Sequence, residues 1–427
     1  ETYRNKKETT TSSVGYHSGI SDYLLKSDFD FKPNTNHDVR FGLNFISHQF
    51  RPDVISAKER TTGNIDHDYD PDFEPFDFSV NNKPVPGNEL SLYAEDDWLL
   101  SSMFRVNVGA RYSTFLVQKR FYHSIQPRAA VRAMLSSNLS VKAGYSYMSQ
   151  YIHLLSNSSI SLPTDLWVPV TKRIAPMNTH QISVGTFYNL KKTIDFSAEI
   201  YYKTMNNLLE YKDGSSFFGV STGWEDKVNV GRGWSYGLEL MVQKSVGKTT
   251  GWVAYTWAKS ERLFDRVGQE VNFGRVFPAK FDRRHDISIT LSHKFSTKID
   301  MGATWVFSTG NAASLALQNY NPGTVPDAGN RYWYDDSMHY YSSRNNYRMP
   351  SYHRLDLGIN FHKKKKHGTR TWNISIYNVY NQQNPFVIYE GTKGEYVNNN
   401  GNWRSHKVLK QLSIFPIIPS VSYIYAF

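Results

Sequence analysis

The sequence has no cysteine among its 427 residues, and no apolar run in it approaches the roughly 20 residues of a membrane-spanning helix. The first absence excludes a disulfide scaffold, a cysteine nucleophile and a thiolate metal site. The second excludes a helical membrane protein. No catalytic constellation is expected: no serine is read as lying in a nucleophile elbow, no H-E-x-x-H string occurs and there is no phosphate loop, so an enzyme is not expected.

What the chain does have is aromatic residues, 15% of the total with 29 tyrosines, at a mean hydropathy of −0.53. The stretch 284–310 shows how the two coexist. Ile287, Ile289, Leu291 and Phe295 alternate with Asp286, Ser288, Thr290, Ser292 and Lys294. After Ser296-Thr297-Lys298 the pattern resumes, with Ile299, Met301, Ala303, Trp305 and Phe307 opposite Asp300, Gly302 and Thr304. A period of two residues is that of a strand, and this is an antiparallel hairpin with one apolar and one polar face.

The alternation recurs from about residue 12 to Phe427 in about fifteen strands, with residues 369–389 and 406–427 each read as one strand. Short links (33–36, 100–102, 136–138, 191–192, 247–248, 296–298, 363–368) alternate with long loops (59–87, 156–178, 310–350), the one break being a brief connection near Tyr122-His123. Bacterial outer-membrane barrels sort their connections this way, with short turns in the periplasm, and collect Tyr, Trp and Phe at two interfacial girdles. Charges at alternate positions, such as Asp195 and Glu199, then face a watery lumen, because on the lipid face each costs about 2–4 kcal/mol. The expected fold is all-β: a transmembrane, antiparallel, up-and-down barrel over residues 1–427. Single-chain barrels have an even strand number with both ends in the periplasm. An odd count whose first strand descends from outside leads us to expect at least one strand before Glu1.

The excess of 49 Lys and Arg over 38 Asp and Glu gives +11, but these residues are scattered or sit at turns rather than forming a stripe, so nucleic acid is not an expected partner.

Several strings resemble TonB-dependent outer-membrane receptors: Gln150-Tyr151-Ile152-His153-Leu154-Leu155, then Leu162-Pro163-Thr164-Asp165-Leu166-Trp167-Val168-Pro169; Asp282-Arg283-Arg284-His285-Asp286; Asn378-Val379-Tyr380-Asn381-Gln382-Gln383-Asn384-Pro385-Phe386; and the ending Phe415-Pro416-Ile417-Ile418-Pro419-Ser420-Val421-Ser422-Tyr423. The resemblance implies a barrel of 22 strands with a plugged lumen. About seven early strands and the plug, which carries the TonB-contacting segment, are then absent from this chain. It also implies the outer membrane of a Gram-negative bacterium, with outer-membrane lipid and, through the plug, the TonB complex as partners.

Loop 310–350 carries Tyr320, Arg331, Tyr332, Trp333, Tyr334, Tyr340, Tyr341, Arg344, Tyr347 and Arg348, aromatic and guanidinium groups suited to gripping a ligand or a surface lipoprotein by stacking and cation–π contacts. An interfacial girdle with loop self-packing is the plainer reading. Asp66, Asp68 and Asp70 have the alternate spacing of calcium ligands, but Pro71 stands where a calcium hand needs Gly, so a solvated acidic loop competes and no other cofactor is expected. His153, His285 and His353 would serve haem or a metal only if they met across the barrel. Lys363–Lys366 fit either anionic headgroups or a solvated turn. Tyr423, Tyr425 and Phe427 resemble the terminal signal read by the barrel-insertion machinery. The expected function is import of a scarce nutrient of unspecified class. The alternatives are an assembly subunit docking a surface lipoprotein, or a passive porin.

Overall fold

The computed structural model describes residues 2–4, 8–63, 77–81, 84–156, 165–215, 223–316, 318–320, 338–396 and 403–427. Asp66, Asp68, Asp70, Arg331, Tyr332, Trp333 and Tyr334 lie outside them.

Eighteen strands form one sheet, of which three (Thr2–Arg4, Asp77–Asn81 and Phe277–Pro278) are short pieces flanking longer strands. The other fifteen make an antiparallel meander: β1 Glu8–Asn34, β2 His37–Gly63, β3 Val85–Leu99, β4 Phe104–Val117, β5 Arg120–Met134, β6 Leu139–Gln150, β7 Met177–Leu190, β8 Ile194–Tyr211, β9 Val228–Lys244, β10 Thr249–Leu263, β11 His285–Lys294, β12 Ile299–Ser308, β13 Tyr352–Lys365, β14 Gly368–Tyr377 and β15 Ile418–Ala426. Each pairs with the next in sequence. Among the described residues no ladder joins β1 to β15, so the wall is not closed.

Side chains alternate as the sequence pattern requires, but the apolar ones are outermost. On β7, Ile182, Val184 and Tyr188 are 41 to 54% exposed, while Gln181, Ser183 and Gly185 between them are less so. In water this would be the wrong way round. It is the arrangement for strands whose outside meets hydrocarbon, where the backbone must be satisfied by the neighbouring strand. Outward aromatics gather at both ends of the strands. Near the short turns Phe29 stacks on Phe41, with centroids 5.4 Å apart, and Trp372 meets Tyr423 edge-on at 5.0 Å. Toward the long loops Tyr202, Tyr236 and Trp257 form a row at 6.4 and 5.9 Å. Tyr423 and Tyr425 belong to the first belt by register, and Phe427 follows them, fully exposed.

The sheet is curved. A short hairpin in the connection from β6 to β7 pairs Ile152–Leu155 with Leu166–Pro169. One of its strands contacts β1 and β2 and the other contacts β8, so elements far apart in the ladder lie within reach of one strap.

Two segments depart from the sequence reading. Residues 369–389 and 406–427 are not single strands: each breaks, and Val387–Tyr396 pairs with Trp403–Leu412 as a separate hairpin. Asn378 and Asn381 adopt positive φ (55° and 51°), which ends β14, and Pro385 and Pro416 keep donors out of any continued ladder. The fully buried Asn378 amide joins the two breaks, donating to the carbonyls of Gln382 and Phe415, each at 3.0 Å. The string Gly233-Trp234-Ser235-Tyr236-Gly237, which has nucleophile-elbow spacing, is plain strand, with Ser235 in register with Lys203 and Ser260.

Placing a charge on the outer face tests this reading. Val184→Lys should cost about 2–4 kcal/mol of folding free energy in urea unfolding of the vesicle-inserted protein, and Ser183→Lys much less. Equal costs would contradict the inside–outside assignment.

Candidate functional site: polar wall and loop-packed mouth

The inward face is lined by polar groups that bond across strands. Tyr93 donates to Asp28 at 2.7 Å, and Asp28 also holds Lys26 at 2.7 Å. Arg128 meets Glu95 at 3.1 Å. Arg111 donates to Glu89 at 3.0 Å and to Ser91 at 2.7 Å, and the buried His48 sits between Asp22 (2.8 Å) and Glu89 (4.0 Å) with its ring stacked on Phe50. The register puts these residues side by side, because Glu89, Ser91, Tyr93 and Glu95 are alternate residues of one strand.

Above this wall the strap is docked by two apolar clusters. Tyr151 and Val170 pack with Phe50, Phe115 and Val117, and the Tyr151 hydroxyl is 2.7 Å from that of Ser113. Leu155, Leu166, Val168 and Ile174 pack with Leu209, Tyr211, Trp224 and Val228. A cavity of about 420 Å³ opens between strap and wall, lined by Ile20, Glu89, Ser149, Gln150, Tyr151, Ile152 and the half-exposed Trp167. His153 is buried within the strap. Desolvation pulls its pKa down to about 4, against the opposing effect of a hydrogen bond with the Ala175 backbone.

A third cluster gathers the next loops. A bulge at Asn207 (φ 59°) shifts the register between Asn206 and Leu208, so Leu208 and Glu210 turn to the inward side that Met205 occupies. Leu208 joins Phe264, Val271 and Phe277. The room comes from glycines on β9: a Cβ on Gly231 would lie 2.5 Å from the Phe264 ring, and one on Gly233 2.7 Å from Leu208. Glu210, 5% exposed, accepts hydrogen bonds from Arg262 and from Arg344, the latter at 2.8 Å. Arg344 also donates to Asp213 at 3.3 Å, and its backbone amide donates to Asn272 Oδ1 at 2.8 Å. Beside it the buried Asp282 carboxylate accepts from Arg348, Arg284 and the Ser260 amide.

Of the loop residues singled out in the sequence, Arg344 is thus buried and committed to intramolecular carboxylates, and Tyr347 pairs through its backbone with Ala313. Tyr320 lies in a short ladder opposite Met338. Tyr340 and Tyr341 are partly exposed. His153, His285 and His353 do not converge: His153 is inside the strap, while His285 and His353 bond outward-facing Tyr255 and the neighbouring Tyr380 at 2.9 Å. Among the described residues no group of three or more His, Asp or Glu side chains could hold a metal. Sequence reading missed Glu210, Asn272, His48 and Trp167. For Glu210 the only signal was the loss of alternation in Leu208-Leu209-Glu210-Tyr211.

An incomplete membrane-spanning barrel wall with a polar inner face and inward-packed loops defines the class: an outer-membrane receptor barrel. The family model described as TonB dependent receptor-like, beta-barrel matches residues 1–381, and the chain belongs to that family, whose place is the Gram-negative outer membrane. No curated protein matches. Among solved structures it is similar to the FrpB iron transporter of Neisseria meningitidis (13% identity, TM-score 0.56, covering 88% of this chain and 55% of that one). It is also similar to BauA, the ferric preacinetobactin receptor of Acinetobacter baumannii (12%, 0.55, 98% and 56%), and to the ferric yersiniabactin uptake receptor FyuA of Yersinia pestis (11%, 0.55, 100% and 56%). The chain therefore spans a little over half the length of these receptors.

Two predictions follow from the packed mouth. Arg344→Ala leaves Glu210 buried with one partner fewer and should ease local opening of residues 264–284 and 342–348 by about 3 kcal/mol, seen as faster amide exchange there. Acid should loosen the strap. The unfolded imidazole takes its proton near 6.5 and the folded one only near 4, so stability is full above 6.5 and falls between 6.5 and 4, by about 3 kcal/mol in all. Exchange in residues 152–155 and 166–175, once corrected for intrinsic rate, should rise over that window in the wild type and not in His153→Phe.

Proposed function

We propose that this wall belongs to a TonB-dependent import receptor that takes a scarce solute across the outer membrane. The observation that carries the proposal is the charged, hydrogen-bonded inner wall beneath a mouth narrowed by its own loops, which suits a selective vestibule and not a wide passive pore. In this reading further strands complete the ring, a plug domain occupies it, and TonB supplies energy through the plug. A ferric chelate is the proposed cargo class, because the structural neighbours are named for iron or ferric-siderophore uptake. Contact residues are sought at Trp167, Tyr340 and Tyr341, which leave aromatic surface exposed at the mouth. Tyr320, Arg331, Tyr332, Trp333, Tyr334 and Tyr347 complete the proposed loop surface, and Asp66, Asp68 and Asp70 are kept as a proposed calcium set.

A second reading, docking of a surface lipoprotein on the outer loops, is favoured by one feature. In the connection 264–284, Val267 is 96% and Phe273 78% exposed, and Phe273 is held at φ 56°.

Iron-limited growth separates the two. Deleting the gene should abolish uptake of at least one labelled ferric chelate, as should removing TonB, and Trp167→Ala should raise the half-saturating concentration about tenfold. Uptake that persists without TonB would overturn energised import. A lipoprotein that co-purifies in stoichiometric amount and is lost with Phe273→Asp would support docking.

A further inference from the structure

The short-turn end of the wall is electrically lopsided. At the turns after β1, β3 and β5 (Thr35-Asn36, 100–103 and 135–138) there is no Lys or Arg; of the cations on the flanking strands, Lys32 pairs with Asp38 at 3.3 Å, Arg105 pairs with Asp97 at 2.7 Å, and Arg132 and Lys142 stand opposite each other in register, Lys142 over the Phe187 ring at 4.1 Å. From β7 onward the same end carries Lys191, Lys192, Lys248, Lys298 and the run Lys363–Lys366. All are exposed, and none has a carboxylate within ion-pair distance among the described residues. The acidic side chains at this level point inward and are already bonded. Asp195 accepts from Asn189 at 2.5 Å, and Asp300 accepts from Asn360 at 2.8 Å and meets His362 at 2.5 Å.

The turns that carry Lys248, Lys298 and Lys363–Lys366 form a continuous rim. The Lys294 amide donates to the Lys248 carbonyl at 2.8 Å and the His362 amide to the Lys298 carbonyl at 2.7 Å, so the turns after β9, β11 and β13 are bound edge to edge. Outward aromatics mark its depth: Phe295 (57% exposed), Phe361 and Trp372 lie within a few residues of the lysines and on the lipid-facing side. Lys363 and Lys365 share the parity of Phe361 and so point out over the bilayer.

We infer that this basic rim is a binding surface for anionic phospholipid headgroups of the periplasmic leaflet. Lysines spread along successive hairpins at one depth match a layer of phosphates in one plane, whereas a protein partner would call for a compact patch. Their long stems reach the headgroups while the aromatic belt fixes their height. Opposite charge at the membrane surface makes the binding sensitive to salt, within a Debye length of about 8–10 Å. The turns after β1, β3 and β5, which carry no lysine or arginine, have no such preference, so the lipid shell is asymmetric around the barrel.

The test uses the complete protein in nanodiscs of phosphatidylethanolamine and phosphatidylglycerol, with retained lipid identified by native mass spectrometry after mild delipidation. Wild type should retain phosphatidylglycerol about tenfold over phosphatidylethanolamine, and high salt should erase the preference. Replacing Lys191, Lys192, Lys248, Lys298 and Lys363–Lys366 by Gln should remove it, and Arg at the same positions should keep it. That second variant decides the matter if the glutamine protein fails to assemble. Lys119→Gln with Lys172→Gln, in connections at the opposite end, should change nothing. Unaltered preference in the glutamine variant, loss in the arginine variant, or loss in the opposite-end control would overturn the inference. So would a photo-crosslinker at position 365 that labels protein or glycan, rather than lipid, in whole envelopes.

Discussion

Everything in this wall depends on one constraint: a strand that crosses hydrocarbon must give each peptide group to a neighbouring strand, because lipid accepts no hydrogen bond. That demand makes the ladder unbroken where the chain crosses and allows breaks only beyond it. The bulge at Asn207 comes after Ile200 and Tyr202, toward the mouth, and the turn of Asn378 comes just after β14 has finished pairing with β15. Regular pairing also fixes the alternation of faces. The outer apolar surface and the inner polar wall are therefore two results of one backbone requirement.

The inner wall shows what that requirement leaves free. Side chains facing the lumen meet neither lipid nor a close-packed core, so they need not be apolar and can carry charge. Glu89, Glu95, Arg111 and Arg128 use this freedom by pairing across strands, where a lone charge would gain nothing. At the mouth the situation changes. The strap and the loops around Arg344 pack apolar clusters over the wall, and the charges they cover must be fully partnered. Glu210 with two arginines, and Asp282 with two arginines and an amide, are the form this takes. Pairs of this kind add little to stability compared with an apolar contact, but they allow few other arrangements of the loops.

Much of the wall was legible in the sequence. Ile287 to Phe307 and Ile194 to Lys203 alternate with few exceptions (His293, Val306 and Tyr201), and a period of two can be read wherever one face is apolar. The mouth was far less so. Glu210 sits at a position that strict alternation from Ile200 and Tyr202 assigns to the lipid side, and a single residue at positive φ reverses it. No periodicity carries that information, because bulges are chosen by tertiary contacts such as the Asn207 side-chain bond to the Pro176 carbonyl at 2.9 Å. Arg344 illustrates the same limit in another way. Its place in an aromatic-rich loop suggested a ligand contact, yet its partners lie about 130 residues away in the chain and were set by loop packing. The breaks near Asn378 and Pro416 were visible as residue types but were outvoted by the apolar residues on either side.

The two ends of the strands therefore answer to different physics. At the mouth, length and composition are free because the segments stand clear of the bilayer, and specificity is built from packing that a pattern does not reveal. At the turn end the chain has only two to four residues in which to reverse, so it holds little beyond the turn itself, and what it holds is exposed. A charge placed there has no loop to fold over it and no wall to pair with, and its surroundings are set by the membrane surface. The same sequence feature, an unpaired lysine, would be a packing fault at the mouth. At the turns it gives this wall a way of telling one lipid from another.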